Sequence, residues 1–139
     1  EPNATSVSKN GYGYVVAYIG DLGGLVPYTA YNAKVSYIEE NPDVIEKFTR
    51  AVNKGLEYVA NHSAEEIAKI VVDYFPDTSL SDMEIIINRY KEGDAWKKNI
   101  TINEEEWNHI QEIIEASKQL DKRVSYDKLI YSKYFKDYE

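Results

Sequence analysis

From Lys34 onward the apolar residues recur at steps of three and four, and each stretch of that rhythm opens on a capping signal, so most of the chain reads as helix. Asn41 followed by Pro42 supplies an N-cap and a first-turn proline. Behind them Val44, Ile45, Phe48, Ala51, Val52, Leu56 and Val59 mark one face of an amphipathic helix of about five turns, ending near Asn61 and His62. The short stretch Ser36 to Glu40 before it also reads as helical. Ser63 with Glu66 forms a capping box ahead of Ile67, Ile70, Val71, Tyr74 and Phe75, and Pro76 stops that run. A second box, Ser81 with Glu84, precedes Ile85, Ile86 and Tyr90 and ends at Gly93. Asn103 with Glu106 opens a third helix carrying Trp107, Ile110, Ile113, Ile114 and Leu120. The tail, Ser125 to Tyr138, predicts a short docking helix.

Ahead of Lys34 the pattern is different. Gly11 to Ile19, GYGYVVAYI, combines aromatic and β-branched residues and then meets Gly20, Gly23 and Gly24, which predicts a strand entering a turn. Val26 to Ala33, VPYTAYNA, predicts a second extended segment in which Pro27 restricts the strand to an edge or a start. The expectation is therefore an α/β chain, predominantly helical at roughly 60% helix, with two or three strands near the N-terminus. Two strands alone make a marginal sheet. Their absent neighbours, and a first residue that is Glu1 instead of Met, lead us to expect a C-terminal fragment of a larger α/β protein. Strand edges left open in this way would invite a homo-oligomer of the fragment.

Charge narrows the function. Sixteen Lys and Arg stand against 24 Asp and Glu in 139 residues, a formal net charge of -8. An acidic surface repels polyphosphate and offers little to anionic lipid, so no nucleic-acid partner is expected, although a local basic pocket remains compatible with it. Absent cysteines exclude disulfides and thiolate chemistry.

Catalytic constellations are missing from the pattern. His62 and His109 fall on different elements without a third histidine or a cysteine to complete a zinc set. Acidic pairs such as Glu39 and Glu40, Glu65 and Glu66, and Glu104 to Glu106 lie in first turns or near helix ends, where dipole and solvent account for them. Gly11 and Gly13 make a bare GxG that precedes its strand, and neither a phosphate loop nor a serine elbow occurs. The chain reads as a non-enzyme with no cofactor and no metal. What stands out is 13 tyrosines. Two of them, Tyr28 and Tyr31, flank Thr29 in a form that can either stack on a small ligand or cover a sheet edge.

The order Glu1-Pro2-Asn3-Ala4-Thr5, then GYGYVVAYIGDLGG, then VPYTAYNAKVSYIEENPDVIEKFTRAVNKGLEYVANHSAEEIAKIV resembles the C-terminal portion of the substrate-binding proteins of ABC importers. The branch it is similar to is the NMT1/THI5-like group, whose members bind thiamine pyrimidine precursors, nitrate, taurine and aliphatic sulfonates. The resemblance implies a type II periplasmic-binding-protein-like architecture of two α/β lobes closing on a solute. Residues 1–25 would end the second lobe, 26–34 would be the return crossing strand, and 35–139 would supply mainly helices of the first lobe. It further implies a ligand-side loop at Glu1, Pro2 and Asn3, and a cleft faced by Tyr28, Thr29 and Tyr31.

The partners implied by the same resemblance are a small-molecule solute, an ABC permease in the membrane and the missing N-terminal portion of the same protein. The implied location is extracytoplasmic, periplasmic or as a cell-surface lipoprotein. Glu1 beside the solute favours a neutral or cationic heteroaromatic, such as a thiamine-precursor pyrimidine, over nitrate or a sulfonate. An iron-dependent, pyrimidine-synthesising member of the group relies on histidine and a cysteine-rich stretch, for which this sequence gives no support. A helical protein-interaction module is the reading from a different class.

Overall fold

A computed structural model describes residues 1–135 and Tyr138. The helices in chain order are α1 (Asn3–Lys9), α2 (Ile19–Gly23), α3 (Val35–Glu40), α4 (Pro42–Asn61), α5 (Ala64–Val71), a single 3-10 turn (Val72–Tyr74), α6 (Leu80–Glu92), α7 (Glu104–Ala116) and α8 (Tyr126–Leu129).

The expected α/β class is overturned: the described residues contain helices, turns and irregular segments and no strand. Residues 13–18 and 26–28, assigned above to strands, are irregular. β-propensity reflects the fit of a side chain to a pleated, half-buried surface supplied by neighbouring strands. Without those neighbours Tyr14 and Val16 stand 85% and 94% exposed, and their branched and aromatic side chains have no sheet to pack on.

The chain divides into two compact units, one of Glu1–Leu22 with Leu56–Lys98, the other of Gly23–Gly55 with Asn99–Glu139. In the first unit α5 lies against α6, and Ala64, Ile67, Ala68, Met83 and Ile87 form an apolar core edged by Tyr58, Val59, Val71, Val72 and Trp96. The α5 capping box is present as the sequence signals it, with Ser63 Oγ accepting from the Glu66 amide at 3.2 Å and Glu66 returning to the Ser63 amide at 2.9 Å. The start of α6 is two residues earlier than expected. Ser79, not Ser81, is the N-cap and accepts from the Asp82 amide at 3.2 Å. At the far end of α6 the Lys91 ammonium donates to the Val59 and His62 carbonyls, each at 2.6 Å, and so closes the C-terminal turn of α4. Tyr18 anchors the irregular N-terminal segment: a Cβ on Gly93 would fall 2.7 Å from its ring, and one on Gly20 2.4 Å.

In the second unit the Asn103 box opens α7, with Asn103 Oδ1 accepting from the Glu106 amide at 2.8 Å. That helix stops at Ala116, short of the expected Leu120, and the chain turns back to α8. Both main-chain groups of Val124 are held by α7 side chains: its carbonyl accepts from Trp107 Nε1 at 2.8 Å and its amide donates to Gln111 Oε1 at 2.7 Å. The Tyr126 hydroxyl donates to the Ile102 carbonyl at 2.5 Å. Of the helix expected from Ser125 to Tyr138 only the four residues of α8 form; residues 130–134 are irregular or turn, and the part of the expectation that falls on residues 136 and 137 lies outside the described residues. Asn41, expected to cap α4, turns its side-chain amide back to the Tyr37 carbonyl at 3.0 Å and closes α3.

Two substitutions test this packing by thermal and denaturant unfolding. Ile67→Ala empties the α5–α6 contact and is expected to destabilise by about 2–4 kcal/mol. Gly55 sits inside α4 with nothing near the position of a new Cβ, so Gly55→Ala is expected to stabilise by about 0.5–1 kcal/mol. A loss of stability in the second variant would show that α4 does not run through Gly55.

Candidate functional site

The tyrosine segment belongs to the second unit. Tyr28 and Tyr31 are 87% and 78% exposed, Thr29 is exposed as well, and the backbone there is irregular. A three-residue turn, Tyr28 N–H to the Val26 carbonyl at 2.9 Å, shapes it locally. The Tyr31 ring meets the Phe48 ring of α4 edge-on, with centroids 4.9 Å apart and planes at 85°. Phe48, on the apolar face of its helix, is 47% exposed and forms part of an aromatic surface with Tyr31. Thr29 and the two tyrosines thus stand open to solvent.

Upstream of this segment, Gly24 adopts a positive φ of 72°, and the His109 ring covers it so closely that a Cβ would sit 3.1 Å from Cε1. His109 also borders an open, acidic hollow lined by Glu104, Glu105 and Glu112. No group able to hold a metal occurs among the described residues.

Glu1, Pro2 and Asn3 belong to the first unit. Pro2 and Asn3 are exposed and lead into α1. Glu1 faces inward: its Oε2 accepts from the Thr5 amide at 2.9 Å and its Oε1 pairs with Arg89, whose guanidinium also donates to Thr5 Oγ1 at 3.0 Å. Its side chain is 6% exposed. Burial pushes the carboxyl up, but the Thr5 amide and the Arg89 guanidinium together outweigh it and hold the group below its ordinary value. The negative charge expected to face a solute is matched within the unit. His62 has a structural role: its ring stacks on Tyr58 at 3.6 Å and its Nδ1–H donates to the Tyr58 carbonyl at 2.9 Å.

The first unit also has a cleft that the sequence reading did not single out, a hollow of about 160 Å³ between the end of α4 and the segment after α6. Tyr90 and Trp96 wall it, their centroids 5.3 Å apart and their planes at 53°, and Lys91, Lys97 and Lys98 line it with Asp94. The signal was the run Tyr90-Lys91 followed by Trp96-Lys97-Lys98, an aromatic-basic cluster in an acidic chain.

Residues 5–66 match the family model described as NMT1/THI5 like. The chain is also similar to Putative binding protein YtlA of Bacillus subtilis (strain 168), at 39% identity over 130 residues. That alignment takes in 94% of this chain and 39% of the relative, so the chain spans well under half the length of the curated relative it matches. No solved structure shows a significant match. The likeness to the NMT1/THI5 like model thus rests on residues 5–66, under half of the chain, and the curated relative is named as a putative binding protein.

The Glu1–Arg89 contact makes a pH prediction. A carboxyl held below its ordinary value of 4.5 contributes stability that is complete above that value and is lost as the pH falls through the lower, folded-state value. Melting followed from pH 7 to pH 2 should therefore show an acid limb that Glu1→Gln flattens, with a cost of about 1–2 kcal/mol at neutral pH. An unchanged acid limb in the variant would remove Glu1 from the account.

Proposed function

We propose that this chain belongs to the NMT1/THI5-like group and is part of the extracytoplasmic solute-binding component of an ABC importer, and that the solute is a small heteroaromatic such as a thiamine-precursor pyrimidine. The observation that carries the reading is the likeness to a binding protein along 94% of the chain. Exposed rings at Tyr28 and Tyr31 support it, because an unshielded aromatic surface with nearby hydroxyls suits a flat, hydrogen-bonding solute. In this reading Tyr28, Thr29 and Tyr31 touch the solute, and Glu1, held by Arg89 and the Thr5 amide, does not. Residues 1–25 belong to the second lobe of the whole protein, 26–34 to the crossing between lobes and 35–139 to the first lobe. The whole protein delivers its solute to a membrane permease and is held outside the cytoplasm, as a periplasmic protein or a lipoprotein.

A second reading keeps the role and changes the solute to an aliphatic sulfonate, taurine or nitrate. The Glu1–Arg89 pair favours it, because a carboxylate already matched by a guanidinium no longer repels an anion.

Calorimetric titration of the full-length protein with the pyrimidine and with an alkyl sulfonate separates the two. Pyrimidine binding that weakens about tenfold or more in Tyr28→Ala, with the melting temperature unchanged, is the expected outcome. Tight sulfonate binding indifferent to Tyr28→Ala would overturn both the solute class and the role of Tyr28.

A further inference from the structure

The cleft of the first unit has a composition opposite to that of the chain around it. The protein carries a net charge of -8, yet three lysines and one aspartate line this hollow. Its two rings already touch: Trp96 packs against the α5–α6 core, Tyr90 lies on α6, and with centroids 5.3 Å apart and planes at 53° they form one continuous aromatic wall.

The Lys91 ammonium has three N–H donors and commits two of them to the Val59 and His62 carbonyls. The direction of the third is set by the other two, and Lys91 is among the residues that line the cleft. Lys98 is exposed and adds a second ammonium at the rim. The volume of about 160 Å³ matches one six-membered ring with a small substituent, since a cavity of about 150 Å³ takes up benzene.

We propose that this cleft binds a small aromatic carboxylate, its ring against Trp96 and Tyr90 and its carboxylate between Lys91 and Lys98. A simple inorganic anion would use the ammonium groups and leave the rings idle, and a neutral ring would use the rings and leave the charges idle. The aromatic acid satisfies both. The site lies wholly within one unit, involves neither Tyr28 nor Thr29, and does not depend on the transport reading.

Titration of the 139-residue chain, followed through its two indole N–H resonances at constant ionic strength, tests the assignment. The Trp96 resonance is identified by its loss in Trp96→Phe. Sodium benzoate should move it saturably in the millimolar range, benzamide should bind at least about fivefold more weakly, and phosphate should leave it in place. Lys98→Gln, at an exposed position that the fold does not need, should weaken benzoate about fivefold and leave benzamide unchanged. No saturable movement with benzoate, equal binding of benzamide, or an unaltered benzoate affinity in Lys98→Gln would each overturn the proposal. Phosphate binding as well as benzoate would overturn its aromatic half.

Discussion

The contact on which the rest of the first unit depends is the approach of α5 to α6. Ala64 and Ala68 lie four residues apart, on one stripe of α5, and Ala68 is wholly excluded from solvent. Two small side chains in that stripe let the helices close until Ile67 meets Met83 and Ile87. Once α6 is fixed, its other faces do the remaining work. Asp82 and Arg89 bind Lys9 and Glu1 of the N-terminal segment, Lys91 seals the end of α4, and the bare surface of Gly93 receives Tyr18. A bulkier residue at position 68 would push α6 out and disturb all of these together.

The second unit is organised by different physics. Its buried residues among those described are Asn53, Glu106 and Gln111, and none is apolar. Hydrogen bonds fix the path of the chain: α7 holds both polar groups of Val124, and Tyr126 reaches Ile102. Such bonds are directional, so they set the register of the return segment more sharply than apolar contact would. Large apolar side chains, meanwhile, remain at the surface, Val44, Phe48 and Ile113 among them.

Local signals were legible in the sequence and distant ones were not. Ser63 and Asn103 could be recognised because a cap and its partner lie three residues apart. Ser81 misled because Ser79 has its own acidic residue at the same spacing, and only the register that buries Met83 and Ile87 on α5 chooses between them. The segments read as strands failed for the converse reason: their propensity was real, but a ladder needs partners that the residues themselves cannot reveal. At the candidate site, Tyr28 and Tyr31 stand exposed, and the pairing of Glu1 with Arg89 joins residues 88 positions apart and leaves no trace in spacing. The aromatic-basic cleft draws most of its lining from residues close in sequence, Tyr90 to Lys98, but no standard motif has that form.

The polar closure of the second unit also sets how it responds to temperature. Unfolding acquires its large heat capacity from apolar surface newly exposed to water, and polar exposure works against that increase. The α5–α6 core has such surface to release, so the free energy of the first unit follows a dome, weakening on cooling as well as on heating. A unit whose buried residues are an asparagine, a glutamate and a glutamine releases less of it. The apolar and the polar contacts of one polypeptide therefore answer differently to a change of temperature.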